Sequence, residues 1–310
     1  MSFSIYLPIA GNAINIVLLV GLGGLVGLLS GLFGVGGGFL LTPLLIMIGI
    51  PPTVAAASDS NQIVAASTSG CIAHSRAGNV DFKIGTLMLL GGVAGGTAGV
   101  RIIKLLRALG EADFVITVVY VVMLGGIGSY MLFESLTSLR RRVPGQPSAI
   151  PAKPSIYRRL IELLPFRMQF PRSKITVSPV LPFALGVAVG ILAAVMGVGG
   201  GFIMVPVMVY LLRMPMHVVV GTSLFQILFT CVNVTVLQSY MNHTVDFILA
   251  LLLLAGSAVG AQIGTRLGKR LKAEQLKILM AVVVLGVMFK MLLGLLLTPD
   301  VLVAYGGAHQ

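Results

Sequence analysis

Charge is what this chain has least of. Only 10% of its 310 residues are Asp, Glu, Lys or Arg, against about 25% in an ordinary soluble domain. Such a chain cannot clothe itself in a water-facing charged surface, and a soluble globular fold is excluded. Cysteine is nearly missing too: Cys71 and Cys231 both sit inside apolar runs, where cysteine acts as a small packing residue. No CxxC or other metal-ligand spacing occurs, and no GxxxxGK[ST] loop exists to cradle the phosphates of ATP. No GxSxG elbow marks a hydrolase nucleophile. The opening MSFSIYLPIAGNAINIVLLV has neither a basic n-region nor an AxA-type cleavage site, so it reads as the start of a first span rather than a signal peptide. No catalytic residue, metal or cofactor is expected.

What is present is oil. Hydrophobic residues make up 57% of the chain and mean hydropathy is +1.03. Apolar runs of about 20 residues recur from end to end, the signature of transmembrane helices. The reading is an all-α polytopic membrane protein with about 8–10 transmembrane segments. The net charge of +12 would suggest nucleic acid if it were spread evenly. It is not. Residues 137–179 hold nine Lys/Arg, one acid and seven prolines, which the positive-inside rule places in the cytoplasm as an extended basic linker. Within it, IYRRLIELLPF could lie on anionic lipid as an amphipathic helix. Nucleic acid is not an expected partner; the lipid bilayer is.

The chain repeats itself. GVGGGF stands at 34–39 and again at 197–202, an offset of 163. Pro43 then meets Pro206, Pro52 meets Pro215 and Ser60 meets Ser223. After small gaps NVDF (79–82) meets TVDF (244–247), and GGTAGVRIIK (95–104) meets GAQIGTRLGK (260–269). An ordered match over some 75 positions marks a duplication: a first repeat over 1–136, the linker over 137–179, and a second repeat over 180–310. Each repeat reads as five apolar segments. The second of each (39–50 and 201–212) is about 12 residues, or roughly 18 Å, too short for the ~30 Å hydrocarbon core; these are expected to be broken or re-entrant. If all segments cross, the repeats are inverted and 17 of the 21 Lys/Arg fall on the cytoplasmic side. The inverted arrangement is preferred for that reason.

Four glycines in six residues ahead of a short helix break the chain and leave N–H groups bare at the helix start, a setting that suits an anion. Gly36, Gly37, Gly38, Gly199, Gly200 and Gly201 are therefore candidate substrate contacts. Gly95-x-x-x-Gly99 and Gly260-x-x-x-Gly264 read instead as close helix packing. The third segment of each half carries the densest intramembrane polarity. Ser60, Gln62, Ser223 and Gln226 are the candidates there, because a hydroxyl or amide can donate to an anion's oxygen without burying a counter-charge. Asp59 admits two readings: a coupling site for H+ or Na+, or a helix cap in the headgroup layer. Arg101 and Arg266 steer an anion into the pathway or snorkel as interface anchors. Asp81 and Asp246 are expected as N-caps of the fourth segments.

The tandem GVGGGF, each with a proline four residues on and a polar Thr/Ser-bearing helix after it, resembles the TauE/SafE sulfite exporter family of bacterial permeases. The resemblance implies a secondary transporter in the bacterial inner membrane, multi-pass, moving small sulfur-containing anions such as sulfite, sulfoacetate or other organosulfonates by alternating access between the repeats. A passive anion channel is the alternative, and an intramembrane hydrolase a remote one. A homo-oligomer is compatible with the sequence.

Overall fold

The computed structural model describes residues 4–33, 38–140, 168–173, 175–212, 214–268 and 273–297. Gly36, Gly37 and the proposed amphipathic stretch at 156–166 lie outside the described residues. Five helices belong to the first half: α1 (Ile16–Phe33), α2 (Gly38–Met47), α3 (Pro52–Arg76), α4 (Phe82–Ala108) and α5 (Ala112–Arg140). Five belong to the second: α6 (Val180–Met196), α7 (Gly201–Pro206), α8 (Met216–Leu237), α9 (Phe247–Gly268) and α10 (Ala273–Leu297). α7 runs on through a π-helical turn at Val207–Leu211, and α8 through another at Gln238–Asn242. The protein is an all-α polytopic membrane protein. Among the described residues, Phe82–Ala108, Ala112–Phe133, Met216–Asn242 and Phe247–Gly264 are long and apolar enough to cross a bilayer. α2, at 10 residues, reaches only about 15 Å.

Two elements were not expected from the sequence. A short antiparallel hairpin, β1 (Ser4–Leu7) with β2 (Asn12–Asn15), precedes α1, so that helix begins at Ile16. A second, β3 (Met168–Phe170) with β4 (Ile175–Val177), precedes α6. The last part of the basic stretch is thus a hairpin rather than an extended linker. Pro8 and Pro171 occupy the two turns and stand 163 apart, the offset of the glycine motifs.

The helices of the two halves interleave rather than sit side by side. α1 packs along α9, and α4 along α6. Gly23 lies against Leu253 and Gly27 against Ser257; Gly91 lies against Phe183, Gly95 against Val187 and Gly99 against Ile191. Numbers rise together on both sides of each seam, so both pairs run parallel. The third helices meet in the opposite sense. Gly221 of α8 abuts His74, Gly70 abuts Leu224, and Ile63 packs with Ile227 and Cys231, so α3 and α8 are antiparallel. α5 and α10 are antiparallel as well, with Gly125 on Met288 and Gly128 on Leu285. The seams are close because glycine removes the side chain: a Cβ on Gly95 would lie 2.1 Å from the Val187 carbonyl oxygen, and one on Gly260 2.0 Å from that of Gly24. The Gly95/Gly99 and Gly260/Gly264 pairs pack helices, as small-residue spacing in membranes does.

Each hairpin crosses over to the other half. Asp81 caps α4 by accepting from Lys83 N (3.1 Å) and Ile84 N (3.4 Å). Its other oxygen accepts from Ser173 N (3.1 Å) and Ser173 Oγ (2.5 Å) of the second hairpin, while Asp81 N donates to Thr222 Oγ1 (3.0 Å) on α8. In the matching hub, Asp246 accepts from Leu249 N (3.1 Å) and from Ile9 N (3.1 Å) of the first hairpin, and its own N–H donates to Ser58 Oγ (3.1 Å) on α3. Both aspartates are buried. Asp81→Asn turns an amide NH2 toward two donors and should cost about 1–3 kcal/mol of stability. Asp246→Asn, with a single hairpin donor, should cost less, and thermal unfolding in lipid or detergent ranks the two.

Candidate functional site

The ends of the two GVGGGF motifs come together inside the bundle. α6 ends when Gly197 turns left-handed (φ 72°), its N–H donating to Ala193 O (2.8 Å). Gly199 (φ 67°) and Gly200 (φ 77°) follow in the same region, and α7 starts at Gly201. Three left-handed residues in four are accessible only to glycine at low cost. The amides of Gly199, Gly200, Gly201 and Phe202 donate no hydrogen bond among the described residues, although all four residues are buried. A helix start leaves such groups open by geometry. The first half holds this break by its carbonyls: Ser60 Oγ on α3 donates to Gly197 O (3.2 Å), shared with Ala56 O (3.2 Å), and Tyr120 OH on α5 donates to Met196 O. Next to this break, Phe39 and Phe202 stack face to face, centroids 4.3 Å apart and planes 5° from parallel. These are corresponding residues of the two GVGGGF motifs, so the motifs touch one another.

Asp59 on α3 is fully buried. Its Oδ2 accepts from Thr42 Oγ1 (2.7 Å) on α2, and its Oδ1 has no partner. A Cβ on Gly38 would stand 3.3 Å from that Oδ2, so the carboxyl abuts the last glycine of the first GVGGGF motif. The headgroup-cap reading therefore fails: Asp59 lies eight positions into α3, not at its start.

Gln62 and Gln226 flank this centre rather than entering it. Gln62 Nε2 donates to Ser257 Oγ (2.5 Å) on α9; Gln226 Nε2 donates to Thr230 Oγ1 (3.0 Å) and packs over Gly92 of α4. Each glutamine thus faces the fourth helix of the opposite half. That equivalence sets Gln62 against Gln226 and Asp59 against Ser223, one residue away from the register in which Ser60 meets Ser223. Ser223 Oγ donates to Val220 O (3.0 Å) in its own helix. The side-chain donors of Ser60, Gln62, Ser223 and Gln226 are therefore all engaged within the protein. Asp59 Oδ1, Gln62 Oε1 and Gln226 Oε1 are left as buried acceptors without partners. Thr42, Tyr120 and the Phe39/Phe202 pair escaped the sequence reading, because their partners come from elements 17 to 163 positions away.

Arg101 and Arg266 are exposed near the C-terminal ends of α4 and α9. α4 runs with α8 (Gly85 on Phe225, Gly96 on Asn233) and α9 runs with α3. Since α3 and α8 are antiparallel, the two arginines sit at opposite ends of the bundle, away from the breaks. No group of three or more metal-binding side chains occurs among the described residues, and both cysteines are free thiols.

A bundle of apolar helices with a broken element inside it, bare amides at the break and a buried acid on a neighbouring helix has the build of a membrane transporter. The chain belongs to the Sulfite exporter TauE/SafE family, whose profile matches residues 19–291. It is 25% identical over 281 residues to the "Probable membrane transporter protein YunE" of Bacillus subtilis (strain 168), covering 87% of this chain and 95% of that one. It is 27% identical over 272 residues to "Probable membrane transporter protein YjnA" of the same organism, covering 87% and 96%. A shorter match, 33% over 100 residues, reaches "Sulfite exporter TauE/SafE family protein 1" of Arabidopsis thaliana, with 32% of this chain and 22% of that one. No solved structure matches the chain.

Proposed function

We propose that the protein is a secondary transporter of small sulfur-containing anions, sulfite, sulfoacetate or related organosulfonates, in the bacterial inner membrane. It works by alternating access around the two glycine breaks, and it is not an enzyme. The observation that carries this reading is the run of buried, unbonded amides at Gly199–Phe202. In a membrane an unsatisfied N–H costs several kcal/mol, so such a run is retained where a ligand satisfies it in turn. A sulfonate offers three acceptor oxygens and one charge, which suits several N–H donors at a helix start. The name carried by the Arabidopsis relative points to the same chemistry.

The halves are an inverted duplication. Corresponding helices related by a two-fold axis run antiparallel when that axis lies across them, as α3 with α8 and α5 with α10 do. Inversion gives each face of the membrane an equivalent half-pathway and places the basic linker in the cytoplasm. Arg101 and Arg266, one at each end, gather anions at the two mouths.

Uptake of labelled sulfoacetate into proteoliposomes should saturate and be competed by unlabelled sulfite. Gly200→Val, whose Cβ would lie 2.3 Å from Val189 Cγ1, should reduce uptake about tenfold or more, some 1.4 kcal/mol of lost barrier lowering. Non-saturating flux with single-channel conductance would replace the transporter with a channel. No flux for any sulfur anion would refute the substrate class.

A further inference from the structure

Asp59 has no charge to balance it. Among the described residues no lysine, arginine or histidine faces the carboxyl. From α2 it meets Thr42 and Gly38; the Tyr120 hydroxyl of α5, committed to Met196 O, and the Cys231 thiol of α8 lie within electrostatic range of it. A single donor, Thr42, reaches it, and Oδ1 stands empty of partners in a fully buried position. An ionisable residue so placed in a membrane protein marks an ion pathway by default.

Its position relative to the glycine motifs gives that role a mechanism. The carboxyl lies beside Gly38 and is hydrogen-bonded to the helix that Gly38 begins. Ile63, one turn along α3 from Asp59, lies against both Gly38 and Gly199, so an anion on the Gly199–Phe202 amides would stand near a carboxylate at Asp59. At an effective dielectric near 20 and a separation of about 5–8 Å, the repulsion is worth on the order of a hundredfold in affinity. A proton on Oδ1 abolishes it. Resting on the transporter reading above, we propose that Asp59 is the proton-carrying residue, so that one proton and one anion cross together. The proton comes from water on one side, binds Oδ1 of the carboxylate, travels as the carboxylic acid while the anion is bound, and leaves to water on the other side. No bond to the anion forms or breaks. By linkage the coupling is mutual: the anion favours the proton by the same factor that the proton favours the anion. Anion affinity should therefore fall as pH rises.

The test uses full-length protein in proteoliposomes with a pH dye trapped inside and sulfoacetate as the probe. In wild type, sulfoacetate influx should acidify the lumen, and an inward proton gradient should accelerate uptake about tenfold. Asp59→Asn, an uncharged copy of the acid, should still exchange sulfoacetate for sulfoacetate, yet show neither lumen acidification nor acceleration. Asp59→Glu should restore both with a displaced pH profile, a rescue that a purely structural role would not produce. An Asp59→Asn protein that responds to the gradient as wild type does would overturn the proposal. So would Asn and Glu variants that fail equally in exchange while staying folded. If wild type moves no sulfur anion, the transporter reading fails instead, and infrared titration of the carboxyl decides Asp59 separately. A protonated-carboxyl band missing from Asp59→Asn supports the assignment; no such band at any pH overturns it.

Discussion

Gly197→Ala should abolish most transport and lower stability by about 2–5 kcal/mol. Two costs add. The backbone at Gly197 has φ 72°, and a left-handed non-glycine residue costs about 1–2 kcal/mol. The new Cβ would also stand 2.0 Å from the carbonyl oxygen of Ala56, and overpacking of that kind costs about 1–3 kcal/mol more. Relief of the clash must push the break away from α3, which strains the Ser60 bond to Gly197 O and tilts the amides that follow. Gly49→Ala separates the terms: its φ is 91°, but nothing lies within 4 Å of its Cβ position. That variant should lose only the conformational share and keep transporting. Thermal unfolding and sulfoacetate uptake, measured on both proteins, check the pair. Equal losses in the two would show that packing of the break against α3 is unimportant.

The second large effect concerns the crossed seams. Gly95→Val on α4 and Gly260→Val on α9 should each leave little folded protein, because each places a branched side chain where a backbone carbonyl of the partner helix lies 2.0–2.1 Å away. The helices would have to part over several turns, breaking the contact that ties one half to the other. Membrane helices have no hydrophobic drive to re-associate; they rely on close van der Waals fit. The two substitutions should be similar in size, because they strike matching seams. Gly126→Val on α5 is the control: its Cβ position is open and exposed, so its effect should stay within about 0.5 kcal/mol. Yield of monodisperse protein after extraction reads all three.

The fold was legible where physics acts locally. Apolar runs between prolines and glycines placed the ten described helices within a few residues, and the second GVGGGF marked the break between α6 and α7. Asp81 and Asp246 were readable as caps because a cap sits beside the helix it serves. The hairpins were not readable: three- and four-residue strands in apolar or basic surroundings carry no period long enough to see. Only Pro8 and Pro171, 163 apart, hinted at them. The site was legible in outline and not in register. A sequence offset of 163 pairs Ser60 with Ser223, whereas packing on α4 and α9 pairs Gln62 with Gln226. A one-residue slip along a helix turns a side chain by about 100°, enough to change which helix it faces. Nor could the sequence say that these donors are already engaged, since Gln62 finds Ser257 195 positions away. The hydroxyls and amides expected to hold the anion hold the protein together in this conformation, and the proposed function assigns the binding to the backbone instead.

That shift of weight from side chains to backbone is what most needs measurement. A density map of the protein in lipid nanodiscs saturated with sulfoacetate should show the sulfonate against the amides of Gly199–Phe202, beside the Phe39/Phe202 stack, with α7 still beginning at the break. Density for the anion at another place in the bundle, or a continuous helix running through residues 197–201, would contradict it.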